Sequence, residues 1–474
     1  MPPPHPKVVI IHPDLGIGGA ERLIIDVALA LKNRGHEVTI YTSHCDPTHC
    51  FEEARDGTLD VRVRGNTAFP AHVCGRLYVL MAILRQLHLT VSVLRELAAE
   101  QDNIFIIDQV PACIPILRAL GPRQQQPSTK QRILFYCHFP DQLLSRRSEG
   151  SRLLQLAKHL YRYPFDHFEG WAMSAADQVV ANSRFTRGVI ASVFGAGRLG
   201  DVRVVYPCVD IDTFTGGKEK DSQTDDDEAA QPLWDGLKIF LSINRFERKK
   251  DLGLAIRAYH GLGAEGRQGT RLVIAGGYDN RVPENVEYKH ELEALCTKLG
   301  LETATAQSMI TALGIPNTVD VLFLPSVPTG FRDTLLAQAR LLVYTPINEH
   351  FGIVPVEAMR AGVPVLASNT GGPLETVVEG ETGWLRDATR AEEWTDVMRE
   401  VLGWRQEDGK AARMAATARE RVRGAFSLTA MGDSLEREIE GMLGRERRPF
   451  DGLGVVAVGV LLGVLAVLYF LYRL

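Results

Sequence analysis

The sequence predicts an α/β protein of two tandem units, each a parallel sheet with helices on both faces, with a cleft between them. Three observations predict it. Short β-rich runs alternate with stretches of helical spacing through the first half. The same alternation restarts at Lys238. Between the two series lies "GGKEKDSQTDDDEAAQ", Gly216–Gln231, which is polar, acidic and without periodicity. Alternation of this kind implies parallel strands joined by crossover helices.

In the first series, "KVVIIHP" (Lys7–Pro13) is a strand, Ala20–Leu31 has helical spacing and "HEVTIYT" (His36–Thr42) is a second strand. "NIFIID" and "RILFYCHFP" are further apolar runs that stop at polar residues. In the second, "KIFLSINRFERKKDLGLAIRAYHGL" opens a strand–loop–helix unit, and "RLVIAGG", "VLFLPSV", "LLVYTP" and "VPVLASN" supply later strands. The expected division is residues 1–207 for the first Rossmann-like domain, 208–237 for a junction with its mobile acidic insertion, 238–427 for the second domain, and 428–448 for a helix and basic segment. "PRQQQPSTKQR" (Pro122–Arg132) reads as a second loop without order.

The chain has 474 residues, enough for two domains with cores of their own; 45% are apolar and 23% charged, the globular range. A net charge of −5, with no basic run interleaved with aromatics, argues against nucleic acid as a partner. Seven dispersed cysteines without C-x-x-C spacing read as reduced thiols. The N-terminus lacks the pattern of a secretory signal. "LGVVAVGVLLGVLAVLYFLY", Leu453–Tyr472, carries no charge over 20 residues. As a helix it spans roughly 30 Å, the thickness of a bilayer core, and reads as a transmembrane anchor. Arg445, Arg447 and Arg448 precede it and only Arg473 follows, which places the bulk of the chain in the cytosol, with these arginines beside anionic headgroups. Arg76–Leu97 is apolar around most of its circumference, with interspersed basic residues; it reads either as a core helix or as a helix lying in the membrane interface.

Four groups of residues could carry chemistry. Gly16, Gly18 and Gly19 follow the first strand and precede a helix, where backbone N–H groups can approach phosphate oxygens. A dinucleotide fingerprint would need a third glycine where Glu21 stands and an acid at the end of the second strand, where Ser43 and His44 stand, so an NAD or flavin oxidoreductase is disfavoured. Arg245 and Lys250, after the first strand of the second half, suit a diphosphate; Arg248 and Lys249 beside them read as solvated surface. Glu349 and Glu357 stand seven residues apart in the core-like "NEHFGIVPVEAMRAG". There Pro355 fits the first turn of a helix and Glu357 is expected in that same turn, where it would also complement the helix dipole. Gly352 lets the loop bend so that Phe351, Gly352 and Ile353 can aim backbone N–H groups at a ligand. His138, at the end of "LFYCHFPD", is either structural or functional.

These residues resemble a known family. The E-x7-E element looks like the signature of retaining glycosyltransferases of the GT-B fold. "GIGGAERLIIDVALAL", "SINRFERKKDLGLAI", "GGYDNRVPENVEY" and "FGIVPVEAMRAGVPVLASNTGGPLETV" resemble the eukaryotic α-1,3/1,6-mannosyltransferases that extend the dolichol-linked precursor of N-glycosylation. The resemblance runs from about Lys7 to Leu443 and does not extend to the two polar loops. It implies that Gly18 and Gly19 approach the donor diphosphate from the first domain, the acceptor and lipid side. Arg245 and Lys250 bind the diphosphate from the second, Glu357 holds the donor ribose and Glu349 contacts the mannose hydroxyls. His138 would lie near the transferred sugar or the acceptor oxygen. The implied donor is GDP-mannose and the acceptor a mannosylated chitobiosyl-diphosphodolichol at the endoplasmic reticulum membrane, with other enzymes of the same pathway as possible partners. Two cations at the diphosphate make a metal unnecessary, and the D-x-D of Asp225–Asp227 lies in the polar insertion and reads as solvated. No cofactor is implied. The rivals are a related transferase with another nucleotide sugar or lipid acceptor, and a non-catalytic sugar-nucleotide-binding subunit.

Overall fold

The computed structural model describes residues 6–72, 77–97, 103–120, 131–144, 152–211, 233–234, 236–447 and 450. The chain divides into two compact units, Met1–Pro207 with Leu428–Leu474, and Cys208–Ser427. The expected anchor at Leu453–Tyr472, the insertion at Gly216–Gln231 and most of the Pro122–Arg132 loop lie outside the described residues; among those described, no helix is long and apolar enough to cross a membrane.

The first unit holds seven parallel strands: β1 (Lys7–Leu15), β2 (Val38–Cys45), β3 (Asp60–Val63), β4 (Asn103–Asp108), β5 (Arg132–Cys137), β6 (Gln178–Ala181) and β7 (Arg203–Val204), in the order β3-β2-β1-β4-β5-β6-β7. β1 sits mid-sheet, with Ile10 level with Ile40 on one side and Ile106 on the other. Both faces of such a sheet are covered, which is why its strands read as unbroken apolar runs rather than alternating ones. The Gly19–Lys32 helix packs Leu23, Ile24, Val27, Ala28 and Leu31 inward. The late helix Leu428–Leu443 returns to this unit. Arg34 donates to Asp433 and to the Thr429 carbonyl across the bare Gly432, and His36 lies between the Pro6 carbonyl and Glu436, 2.9 Å from each.

The segment after that helix is docked inward. Arg447 holds Asp177 through Nε–Oδ1 at 2.9 Å and Nη2–Oδ2 at 3.1 Å; Asp177 is buried and also accepts the Ile133 N–H at 2.8 Å. Arg445 donates to Gln178 Oε1 at 3.2 Å. Two of the three arginines expected at lipid headgroups are therefore turned into the protein, because a buried aspartate demands a cation more strongly than a screened surface does. Arg448 lies outside the described residues. Phe450 packs on Trp171 with ring centroids 5.5 Å apart.

The described part of the Arg76–Leu97 segment is a core helix. It runs Tyr78–Glu96 and buries Leu80, Met81, Ile83, Leu84, Leu89 and Val93. Its Arg85 does not reach outward but donates to Asp14 at 2.9 Å. Composition alone cannot separate an interfacial helix from a buried one; here Phe165 of a later helix, Arg152–Ser174, packs on Leu80, Met81 and Leu84 and covers it.

The second unit repeats the plan with β8 (Lys238–Ile243), β9 (Thr270–Gly276), β10 (Thr303–Thr305), β11 (Val321–Pro325), β12 (Ala339–Tyr344), β13 (Val365–Ser368) and β14 (Gly383–Arg386), all parallel, in the order β10-β11-β9-β8-β12-β13-β14. Trp394 is fully buried in its core and donates its indole N–H to the Asp387 carbonyl at 2.9 Å. Two Rossmann-like units are thus present, as expected.

An acid placed at Leu84 meets apolar core rather than lipid. Leu84→Asp should destabilise the first unit by about 3 kcal/mol or more. Thermal melts check this; an unchanged transition would return the helix to the surface.

Candidate functional site

The acids singled out by the sequence lie at the carboxyl ends of the second unit's strands. β8 ends at Ile243, and the loop beyond it closes in a short turn, Arg248–Lys250, that leads into the Leu252–His260 helix. β12 ends at Tyr344. The next residue, Thr345, donates its hydroxyl to the Lys250 carbonyl at 2.6 Å and so fastens the two strand ends together. The Lys250 ammonium is hydrogen-bonded to the Glu349 carboxylate, and both side chains are mostly buried. Burial opposes ionisation of Glu349, but Lys250, with help from His350 and the Tyr344 hydroxyl, outweighs it and holds the carboxyl below its usual range. Burial and the Glu349 charge push the Tyr344 phenol well above its ordinary value.

Two glycine pairs let these loops approach. A Cβ at Gly372 would fall 2.2 Å from the Phe351 carbonyl oxygen, and one at Gly371, where φ is +71°, would fall 2.6 Å from that of Glu349. The Gly372 N–H donates to the Glu349 carbonyl at 2.7 Å. Gly276 and Gly277 do the same under the β8 loop, with a Cβ at Gly277 reaching 3.0 Å from Arg245 Cγ. Arg245 itself is 65% exposed and pairs with Glu247 at 3.2 Å. Arg248 forms surface ion pairs with Glu287 and Glu291, and Lys249 with Glu247, as expected of a solvated loop.

The helix after Glu349 begins at Ile353, with Gly352 at the N-cap in the left-handed region (φ +83°) and no side-chain cap. Its first-turn N–H groups therefore lack a side-chain acceptor and are suited to an anion. Phe351 is buried edge-on against Phe426, ring centroids 5.7 Å apart, so it can offer a ligand only its backbone. Pro355 is in the first turn, but Glu357 is not: it is the fifth helical residue, in the second turn. The expectation failed because the helix starts two residues before Pro355 rather than at it. Glu357 is held instead by Arg332, Nη1–Oε1 3.3 Å. Burial pushes its carboxyl up despite Arg332 and Arg360, and its Oε2 is buried without a hydrogen-bond partner among the described residues.

In the first unit, Gly18 caps the Gly19–Lys32 helix in an extended conformation, so the glycine is not needed for φ. A Cβ there would lie 2.3 Å from the Glu21 carboxylate, the end of a flexible side chain that would have to turn aside. His138 donates from Nε2 to Asp108 Oδ2 at 2.9 Å, while Asn182 holds the His138 carbonyl at 3.1 Å. Asp108, wholly buried at the end of β4, also receives His12 Nδ1 at 2.8 Å. His12 Nε2 faces the Asp14 carbonyl at 3.1 Å, so both imidazole nitrogens of His12 face acceptors and the ring is suited to carry two protons. Burial works against that charge, but Asp108 outweighs it and raises the His12 pKa; burial likewise opposes ionisation of Asp108, which the two histidines hold below its usual range. With Nε2 donating, His138 keeps Nδ1 as an acceptor.

Two family descriptions match the chain, Glycosyltransferase Family 4 over residues 17–213 and Glycosyl transferases group 1 over residues 223–421. The alpha-1,3/1,6-mannosyltransferase alg-2 of Neurospora crassa is 49% identical over 441 residues, covering 92% of this chain and 90% of that protein. That of Kluyveromyces lactis is 42% identical over 459 residues, 93% of this chain and 86% of that protein. The chain belongs to the alpha-1,3/1,6-mannosyltransferase family. It is a glycosyltransferase, as the resemblance in its motifs implies. A solved sucrose-phosphate synthase from Thermosynechococcus elongatus overlays with a TM-score of 0.64, covering 92% of this chain and 99% of that one at 18% identity, and shares the fold of this mannosyltransferase-family chain.

The sequence missed Asp108, His12, Tyr344 and Arg332. Asp108 and His12 had a signal: each ends an apolar run on a central strand, where an unpaired polar residue would be costly. Arg332, on the Thr329–Gln338 helix, had none, because it comes from a different element.

The His12–Asp108 pair makes a pH prediction. A folded-state pKa raised above the unfolded value of about 6.5 contributes stability that is fully present below that pH and is lost as pH rises through the folded pKa. The gap in melting temperature between wild type and His12→Gln should be widest below about pH 6.5 and narrow above it. A gap constant from mildly acidic to alkaline pH would show that His12 is neutral when folded.

Proposed function

We propose that the chain transfers mannose from GDP-mannose to Man1GlcNAc2-PP-dolichol with retention, adding one α-1,3 and one α-1,6 linkage, at the cytosolic face of the endoplasmic reticulum. The observation that carries the reading is the buried Lys250–Glu349 pair beside an uncapped helix N-terminus, with the unpartnered Oε2 of Glu357 one turn further on.

The residue roles follow from the chemistry. As the anomeric bond breaks, negative charge develops on the departing GDP β-phosphate. Lys250 and Arg245 meet that charge, Lys250 leaving Glu349 to do so, and the N–H groups of Gly352 and Ile353 add donors. Glu349, released from Lys250, accepts hydrogen bonds from mannose hydroxyls. Glu357 takes a ribose hydroxyl on Oε2. Gly18 and Gly19 offer backbone N–H groups to phosphate. His138, held by Asp108 with Nδ1 free to accept, is assigned to a hydroxyl of the transferred sugar or the acceptor. Attack from the face of the departing phosphate, which assists deprotonation of the acceptor hydroxyl, fits a site whose two glutamates are assigned to hydroxyls of the donor and so are not free to act as a nucleophile. With cations already at the phosphate position, metal-independent transfer is the reading we favour. Leu453–Tyr472 would tether the enzyme where a lipid-borne acceptor resides.

Purified full-length protein incubated with GDP-mannose, UDP-glucose and UDP-GlcNAc and a short-lipid acceptor should use GDP-mannose alone, equally with and without EDTA, and give both linkages. Preference for another donor would favour the related-transferase reading; loss of transfer in EDTA restored by manganese would end metal independence. Lys250→Ala should lower kcat by about a hundredfold or more, the scale of losing one charge-stabilising contact in the transition state. Near wild-type turnover in a folded variant would remove Lys250 from the site.

A further inference from the structure

The helix that covers the Tyr78–Glu96 helix leaves its own outer face bare. On Arg152–Ser174, Leu156 is 57% exposed, Leu160 68% and Tyr163 64%. Their spacing of four and three residues puts them on one face, and His167 and Trp171 continue the same stripe at the same spacing. The short helix before it, Asp141–Leu144, exposes Leu143 and Leu144 as well. It is pinned to its neighbour by Glu169, which accepts the Asp141 N–H at 2.7 Å, and by Arg162, 2.6 Å from Asp141. Nothing among the described residues covers the bare leucines.

Charge on this face points to its occupant. The long helix has two acids, Asp166 and Glu169; the first is paired to Arg162 at 3.3 Å and the second is buried on the Asp141 and Gln142 backbone. Arg152 stands exposed one turn before Leu156, so the face is apolar with a cation at its start. The end of the stripe points the same way. Trp171 receives Phe450, and Leu453, the first residue of the uncharged run, is three residues further on, within roughly 10 Å along the chain. Arg447 on Asp177 fixes that exit. The chain therefore heads into its apolar run from the foot of the very stripe that exposes Leu156, Leu160 and Tyr163.

We propose that this face of the Arg152–Ser174 helix lies on the surface of an anionic bilayer, with Leu156, Leu160 and Tyr163 in the acyl boundary, and that Arg447 and Phe450, docked at its foot, hold it there. An amphipathic helix binds such a surface through buried apolar area and basic flanks together. The inference rests on Leu453–Tyr472 being a membrane anchor, which resistance of the full chain to carbonate extraction tests separately.

The test uses full-length protein in phosphatidylcholine–phosphatidylserine vesicles, with Leu160→Cys labelled by an environment-sensitive fluorophore in a Cys45→Ser, Cys74→Ser background. Ile310→Cys, at a position 84% exposed in the second unit, is the control. The label at 160 should be blue-shifted and quenched by shallow spin-labelled lipid, and the one at 310 should not. A label at 160 as open to aqueous iodide as that at 310 would overturn the proposal. Protection from iodide without lipid quenching would overturn it too, by showing that protein, a second copy or a partner, covers the face. The outcome does not depend on which sugar is transferred, so it stands or falls apart from the donor assay. A triple Leu156→Glu, Leu160→Glu, Tyr163→Glu variant should lose lipid quenching measured from Leu143→Cys while remaining carbonate-resistant; retained quenching would place the contact elsewhere.

Discussion

A carboxylate taken out of water must find a cation or give up its charge, and both units are organised around that constraint. Asp108, Asp177, Glu349 and Glu357 are all buried or nearly so, and three of the four are well matched by side chains from distant parts of the chain: His12 on Asp108, with a further hydrogen bond from His138, Arg447 on Asp177 and Lys250 on Glu349. Each pair ties together elements that the apolar core alone would leave free to slide. Lys250 with Glu349 joins the loop after β8 to the loop after β12, and the Thr345 hydroxyl repeats the link through backbone. Glu357 is the exception. Its partner Arg332 reaches one oxygen at 3.3 Å, the other is orphaned, and its carboxyl is pushed toward the neutral form. A group left incompletely satisfied in an otherwise matched interior is where a ligand has most to offer.

The pairs can form only because the backbone comes close enough, and glycine decides that. At Gly371 and Gly372 the chain passes so near Glu349–Phe351 that no side chain fits. That approach, with the Gly372 N–H on the Glu349 carbonyl, holds the loop in the path that leaves Gly352 left-handed and the following helix uncapped. The "TGGP" of the sequence is thus the floor beneath the Glu349 loop. The left-handed Asn348 belongs to the same contact, its N–H donating to the Thr370 hydroxyl at 3.1 Å.

The two parallel sheets were legible because parallel strands write themselves as unbroken apolar runs that stop at polar residues. The E-x7-E acids, the Gly-Gly turns and the β8-loop cations could all be read locally. What could not be read depended on a partner from elsewhere. The Tyr78–Glu96 helix has the composition of an interfacial helix, and only the packing of Phe165 upon it makes it core. Arg445 and Arg447 look like headgroup contacts until Gln178 and Asp177 are found behind them. Glu357 was misplaced by one turn because proline is compatible with any of the first helical positions, and the true start was set by Gly352.

The Lys250–Glu349 pair also bears on what the site can recognise. A free nucleoside diphosphate that drew Lys250 to its phosphates would leave Glu349 buried with fewer partners, and an ionised carboxylate in that position is costly. A sugar attached to the diphosphate supplies hydroxyl donors in return, and only then are both halves of the broken pair satisfied. In the roles proposed for them, the ion pair would couple phosphate binding to sugar binding through the movement of one side chain, and would favour the intact donor over its nucleotide product. The same coupling acts during transfer. As the anomeric bond lengthens, charge gathers on the phosphate oxygen nearest the cation while the sugar ring becomes more positive beside the carboxylate. A Lys–Glu pair separated across the breaking bond, as proposed, would match that transition state better than either end state, which is the condition for electrostatic catalysis.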